Sequence, residues 1–250
     1  MSASHTVSAS FTNVRFILRV SWLSGYPSDL FPVSLTPDLI WYKCNASDIG
    51  VNTIKNYATN VSDTTVGNPT ISTQYFKTRT SSLQLNGTQY IIPQALNFGN
   101  FACTTFCCWF KFKPSQSPST YIDFLVYTPA GTWASSYILD FCYDTGIETY
   151  INGQQIRNSY SSSLTNDMWY LIAYVGGGVS TTMTIYMNGQ VFVSYSSVPY
   201  TTNLNTNYHW LFYNPWDHLQ SPIGYVNDVR FYGRSLNASE VLMIYNASNN

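Results

Sequence analysis

Short runs in which apolar and polar residues alternate recur along this chain, separated by turns rich in glycine and asparagine. Phe106, Cys108, Phe110 and Phe112 fall on one face of such a run, and Cys107, Trp109, Lys111 and Lys113 on the other. That period of two is the mark of a strand, with the Phe face expected in a core and the lysines at a rim. Residues 81–85 alternate and end at Asn86-Gly87, a hairpin signal, after which residues 88–92 read as the next strand. Residues 182–187, Asn188-Gly189 and residues 190–195 form the clearest hairpin. Residues 121–127, 137–143, 147–151, 208–213 and 225–232 are further strands, and 169–175 is a near-continuous apolar one ended by Gly176-Gly177-Gly178. Residues 39–43 make a short β-prone run, followed to about Ser72 by a polar stretch broken by Gly50, Gly67 and Pro69, where no strand is assigned. One helix stands out near the end. Asn237 suits its N-cap, Glu240 completes a capping box, and Val241, Leu242, Ile244 and Tyr245 form a stripe able to close over one end of a sandwich. Residues 1–37, punctuated by Pro27, Pro32 and Pro37, read as an extended arm before a domain spanning 38–250. Many short strands with turns between them predict an all-β fold: a two-sheet antiparallel β-sandwich of jelly-roll type with a short C-terminal helix.

Composition sharpens this picture. Charged residues make up 9% of the 250 residues and aromatics 17%, with 21 Tyr, against about 25% charged in a typical soluble chain. The formal charge is -1 with no basic cluster in the sequence, which argues against a nucleic-acid partner. No apolar run approaches the ~18 residues of a membrane-spanning helix. Residues 1–10 lack the basic start and apolar stretch of a secretory signal, so synthesis in the cytoplasm is expected. Cys44, Cys103, Cys107, Cys108 and Cys142 then read as free thiols, and the sequons at Asn45, Asn60, Asn86, Asn237 and Asn246 as unmodified. Cys107 and Cys108 point to opposite strand faces and do not chelate one metal, and no metal site is expected.

The chemistry-bearing residues are sparse. Glu148 and Glu240 are the only glutamates, while Asp140 and Asp144 read as strand-end and turn residues, so the paired carboxylates of a glycosidase are not supported. His5, His209 and His218 form no recognisable pair with a cysteine and no G-x-S-x-G elbow is present, so the chain reads as non-enzymatic. Asp228 and Arg230, two apart on a strand, share one face and are expected to form a local ion pair or hydrogen-bond anchor that positions the final helix, the alternative being a rim contact to a ligand. Tyr208, Trp210 and Phe212 share another strand face, with Tyr213 and Trp216 beyond. Sugar rings stack their C–H faces on aromatic planes, and Asn214, Asp217 and His218 could fix their orientation; the competing reading makes Trp210 and Phe212 core residues.

The order of these features resembles the concanavalin A-like lectin/glucanase superfamily, in its laminin-G-like jelly-roll branch. The likeness rests on Ser82-Leu83-Gln84-Leu85-Asn86-Gly87, Phe106-Cys107-Cys108-Trp109-Phe110, residues 167–173, Ile185-Tyr186-Met187-Asn188-Gly189 and, above all, residues 223–240 containing Asn227-Asp228-Val229-Arg230-Phe231-Tyr232. It covers about residues 38–246. Upstream, Leu39-Ile40-Trp41-Tyr42-Lys43, Asp48-Ile49-Gly50 and Ile54-Lys55-Asn56-Tyr57-Ala58 are similar to domains carried by large DNA viruses of algae and other protists. That narrower resemblance implies a non-catalytic minor capsid or surface component of a virion. Its partners would be other shell proteins or further copies of itself, with residues 1–37 lying over neighbouring subunits. The alternative it leaves open is a lectin-like module that attaches to host glycans through residues 208–218; a degenerate glycosidase is the weaker third. No cofactor is expected. A family-type calcium site is weakened because Val175-Gly176-Gly177 and Asn227 stand where relatives carry carboxylates.

Overall fold

The computed structural model describes residues 35–78, 80–94, 103–112, 121–127, 137–142, 146–151, 154–158, 167–177, 182–198, 209–215 and 222–248. The arm expected over residues 1–37 therefore lies outside them except for its last three positions. In chain order the strands are β1 (Ile40–Tyr42), β2 (Ile49–Gly50), β3 (Thr53–Asn56), β4 (Val61–Val66), β5 (Thr70–Ser72), β6 (Ser82–Asn86), β7 (Tyr90–Ile92) and β8 (Thr105–Phe112). They continue with β9 (Tyr121–Tyr127), β10 (Tyr137–Cys142), β11 (Gly146–Ile151), β12 (Gln154–Asn158) and β13 (Tyr170–Gly176). The last are β14 (Met183–Met187), β15 (Gln190–Tyr195), β16 (His209–Leu211) and β17 (Ile223–Tyr232), before helix α1 (Ala238–Ser248). Sheet I runs β15-β14-β13-β8-β17-β6-β5, with β1 also paired to β17, and sheet II runs β12-β11-β10-β9-β16-β7-β4-β3-β2. Every recorded strand pair is antiparallel, so the chain folds as the all-β two-sheet sandwich that its pattern predicts. Among the described residues no helix is long and apolar enough to cross a membrane.

The core between the sheets takes the alternate residues anticipated for β8. Phe106, Cys108 and Phe110 are buried there with Leu83, Leu85, Ile172, Tyr174 and Val226. The other face of β8 is buried as well, contrary to a simple in–out strand. Cys107 and Trp109 join Leu171, Ala173, Tyr186, Val241 and Ile244 in a second cluster, because α1 lies across the outer face of sheet I. The helix thus covers a face of the sheet rather than closing an end of the sandwich. Trp109 stacks on Tyr245 with ring centroids 5.7 Å apart, and Gly189 lets the β14–β15 turn approach, since a Cβ there would stand 3.0 Å from Leu242 Cδ1. Asn188 and Gly189 both have positive φ, 51° and 77°, which a two-residue hairpin of this twist requires. Leu35 is buried in the same outer cluster, so packing already begins within the stretch read as an arm.

Two departures from sequence expectation matter for function. The polar stretch after residue 43 contains four strands, β2 to β5. Its pattern hid them because polar side chains point inward: Asn56, Asp63 and Thr65 are buried at 1%, 2% and 2% exposure. Asn56 and Asp63 are satisfied there, Tyr42 donating to Asp63 Oδ2 at 2.5 Å, Asn56 Nδ2 to the same oxygen at 3.0 Å and the Gln94 N–H to Asp63 Oδ1 at 2.7 Å. Burial first, and then Asp63, raise the Tyr42 phenol well above its ordinary value, so it stays a donor. The second departure is a bulge in β17. Asn227 faces Trp109 but Arg230 faces Cys107, so β17 carries one extra residue, and Asp228 takes it with φ 50°.

Candidate functional site

The outer face of sheet II is set by β16, which lies between β9 and β7. Leu211 pairs with Leu125 and Ile91 and enters the core; its neighbour Trp210, opposite Val126, therefore turns to the outer face and is half-buried. Trp210 and Phe212 do not share a face as strand alternation predicts. Phe212 has φ 65°, which breaks the alternation and drops its ring into the inter-sheet core beside Leu211. The same turn sends Tyr213 outward, where it stacks on Tyr90 at 4.2 Å between centroids and 14° between planes. Both rings are half-buried. Asn214 is buried and donates from Nδ2 to Asp123 Oδ1 at 3.5 Å. His209 points inside, its Nε2 2.7 Å from the Pro93 carbonyl. Tyr208, Trp216, Asp217 and His218 lie outside the described residues.

Asp123 leads to a pair of acids that the sequence reading passed over. A bulge between β9 and β10 brings Asp140 opposite Asp123, and Glu148 on β11 is the next residue in register. Asp140 is not a strand-end residue; it sits inside β10, opposite in direction to the core residue Leu139. Asp123 and Asp140 are 0% and 2% exposed. Cross-strand partners share a face at about 4.5–5.5 Å between Cβ atoms, so both carboxyls belong to the outer face that carries Trp210 and the Tyr90–Tyr213 stack. The legible signal was an acid inside an apolar run, Ile122-Asp123-Phe124 and Leu139-Asp140-Phe141, since acids are seldom fully buried unless partnered. Chemically this face offers half-buried aromatic planes, Trp210 and the Tyr90–Tyr213 stack, with the carboxyl and amide groups of Asp123, Asp140 and Asn214 buried on the same face.

The outer face of sheet I is built differently. Arg230 donates to Asp228 in a bidentate pair, Nη2 to Oδ2 at 2.6 Å and Nε to Oδ1 at 3.0 Å, with both side chains at 3% exposure or less. Trp41 Nε1 donates to the same Oδ1 at 2.9 Å, and the guanidinium carbon stands 5.4 Å from the Trp41 ring. Burial alone would lower the Arg230 guanidinium, but Asp228 beside it raises it above its ordinary value. The pair ties β1 to β17. The start of α1 is held by other groups: Arg234 Nη2 meets Glu240 Oε1 at 2.8 Å, and Asn237 and Glu240 exchange backbone caps at 2.8 and 3.0 Å. Arg234 is the helix anchor that the sequence reading assigned to Asp228 and Arg230. Asn227 donates from Nδ2 to the Ser81 carbonyl at 2.8 Å, and its Oδ1 accepts from the Thr78 N–H at 2.8 Å and from the Thr78 hydroxyl. A carboxylate could not make the donated bond, which explains the amide at this position and commits it to holding a loop. Among the described residues no group of three or more His, Cys, Asp or Glu could hold a metal ion.

Comparison with known proteins adds the relatives of this architecture. The family model described as the concanavalin A-like lectin/glucanases superfamily matches residues 85–242. No curated protein matches the chain by sequence. Among solved structures, domain 4 of AbnA, an extracellular arabinanase from Geobacillus stearothermophilus solved with arabinotriose, is similar at TM-score 0.64 and 15% identity, over 83% of this chain and 97% of that one. The botulinum neurotoxin serotype D ligand-binding domain, solved with N-acetylneuraminic acid, aligns at TM-score 0.60 and 11% identity over 85% of this chain. The binding domain of Paraclostridial Mosquitocidal Protein 1 aligns at TM-score 0.59 and 13% identity over 84%. The chain spans about half the length of these two toxin domains, 51% and 52%.

Proposed function

The chain belongs to the concanavalin A-like lectin/glucanase superfamily, and from that premise we propose that it is a non-catalytic carbohydrate-recognition module that binds on the outer face of sheet II. One observation carries the reading: half-buried Trp210 and the stacked Tyr90–Tyr213 pair share a face with the buried Asn214–Asp123 bond and Asp140. Aromatic planes bury the apolar side of a sugar ring, while fixed carboxylate and amide groups select its hydroxyls. Trp216, Asp217 and His218, close after Asn214 in the chain, are candidate sugar contacts on their residue types alone. The sugars named in the AbnA and serotype D structures are consistent with such a role for this fold. The test is a glycan array followed by calorimetry on Trp210→Ala and Tyr213→Ala. Each variant should weaken binding at least tenfold, about 1.4 kcal/mol, with the melting temperature nearly unchanged. An array without a hit, or affinity indifferent to both variants, would sink the reading.

The register of Asp123 and Asp140 also speaks for a second reading, hydrolysis, because paired carboxyl groups are what glycosidases use. Asn214 donating to Asp123 suits a carboxylate that orients a hydroxyl better than one that turns over. No cleavage of β-glucans or arabinans is therefore expected, and turnover that Asp140→Asn abolishes would favour the enzyme. The finer proposal places the module on the particle of a large DNA virus, made in the host cytoplasm, with shell proteins or further copies as partners. A low-charge, Tyr-rich composition supports it. Mass spectrometry of purified particles before and after mild surface proteolysis tests it: a protected stoichiometric protein is a shell component, a shaved one an attachment factor, and an absent one is neither.

A further inference from the structure

Charge is distributed unevenly in this nearly neutral chain. Between Asp63 and Asp123 there is no acidic residue, and the charged residues there are Lys77, Arg79, Lys111 and Lys113. They are not clustered in sequence, but the fold brings two of them to one place. Lys111, near the end of β8, is the register partner of Tyr225 on β17. The loop before β6 lays Tyr75 on that tyrosine at 4.8 Å between ring centroids, and Lys111 Nζ stands 4.8 Å from the Tyr75 ring. Lys77, two residues along the loop, holds its Nζ 4.8 Å from the Trp109 ring, and Trp109 shares the Lys111 face of β8. Asp167, exposed ahead of β13, is the acid whose strand approaches this end of β8.

Two large apolar rings remain open to water here, Tyr75 at 42% and Phe76 at 41% exposure. They are not on a loose loop. Ser72 Oγ accepts from the Gln74 and Tyr75 N–H groups at 3.3 and 3.2 Å, the Ser82 hydroxyl donates to the Tyr75 carbonyl, and Thr78 is bonded to Asn227. An exposed aromatic pair fixed by the sheet beneath it loses little conformational freedom when a ligand covers it. Exposed rings with ammonium groups close by, Lys111 over Tyr75 and Lys77 over Trp109, complement a ligand with an apolar face and a negative group.

We propose that Tyr75, Phe76, Lys77 and Lys111 form a second carbohydrate site, on the sheet opposite the first, for sugars that carry a carboxylate. The proposal rests on reading the chain as a carbohydrate-recognition module, but on none of the residues assigned to the sheet II face. The test is calorimetry of the full chain against short oligomers of glucuronic, galacturonic and N-acetylneuraminic acid, each paired with its methyl ester. At least one acid should bind about tenfold tighter than its ester at low ionic strength, as expected for a charge-assisted hydrogen bond, and the advantage should shrink with added salt. Lys111→Gln should remove the preference for the acid, and Tyr75→Ala with Phe76→Ala should remove binding of both forms at this site. Trp210→Ala should leave the acid preference intact. Equal affinity for acid and ester across the panel, or preference that survives Lys111→Gln, would overturn the proposal. Equally tight binding of poly-L-glutamate would also overturn it and assign the patch to acidic peptides. If acids bind and neutral sugars do not, only the sheet II reading falls; if neutral sugars bind and acids show no preference, only this site falls.

Discussion

The outer faces of the two sheets carry similar residue types and use them in opposite ways. On sheet I the polar groups around the β17 bulge are spent on the protein itself: Asp228 takes Arg230 and Trp41, and Asn227 takes Thr78 and Ser81. On sheet II the acids Asp123 and Asp140 lie buried in register on the face that carries the half-buried rings of Trp210, Tyr90 and Tyr213. Polar groups committed to their own fold are architecture, whereas half-buried rings leave part of a face open to a ligand. The difference lies in the covering of each face, and in residue chemistry hardly at all.

The sharpest way to break the comparison is Arg230→Met. It leaves the Asp228 carboxylate buried without its partner, and should cost about 3–5 kcal/mol in denaturant unfolding. If Trp210→Ala costs as much, the sheet II face is structural too and the contrast is lost. Asn227→Asp should cost about 1–3 kcal/mol, since a carboxylate would face the Ser81 carbonyl without a proton to donate; a stabilised variant would mean that the loop is not anchored there.

Smaller effects sharpen the picture. Burial pushes the Cys44 and Cys107 thiols up to about 12 and raises Cys108 well above its ordinary value, so at pH 8 they should resist alkylation until the protein unfolds. Peptide mass spectrometry reads this directly, and labelling of any of the three in the native state would contradict their burial. The smallest effect concerns the helix. The hydrogen bond from Arg234 holds the Glu240 carboxyl below its ordinary value. A depressed carboxyl stabilises the fold above its unfolded pKa, and that stability is lost as pH falls through the folded value. Because Arg234 is 42% exposed, the pair should contribute less than about 1 kcal/mol. Arg234→Gln should flatten acid unfolding slightly, and an unchanged pH profile would leave the capping box alone to hold the helix.

Much of the fold was legible because its apolar residues obey simple periods. The Phe face of β8, the Asn188-Gly189 hairpin and the Asn237–Glu240 cap follow from local pattern. Strands β3 and β4 were not legible, because three of their four buried positions are Asn56, Asp63 and Thr65, and the hydrogen bonds that satisfy Asn56 and Asp63 come from distant parts of the chain. The candidate site was legible in part: Trp210, Tyr213 and Asn214 stand out in sequence, but Tyr90 and the Asp123–Asp140 pair reach them from other strands.

By itself, then, the sequence determined the class of structure and the strands with apolar alternation, since burying one face in a sandwich demands that period. Tertiary structure alone decided which polar residues became interior and which stayed near the surface. Two bulges did this. The extra residue at Asp228 resets the alternation of β17, and the irregularity opposite Leu139 brings two acids from separate strands into register. Register between strands distant in the chain depends on long-range pairing, which no local pattern encodes.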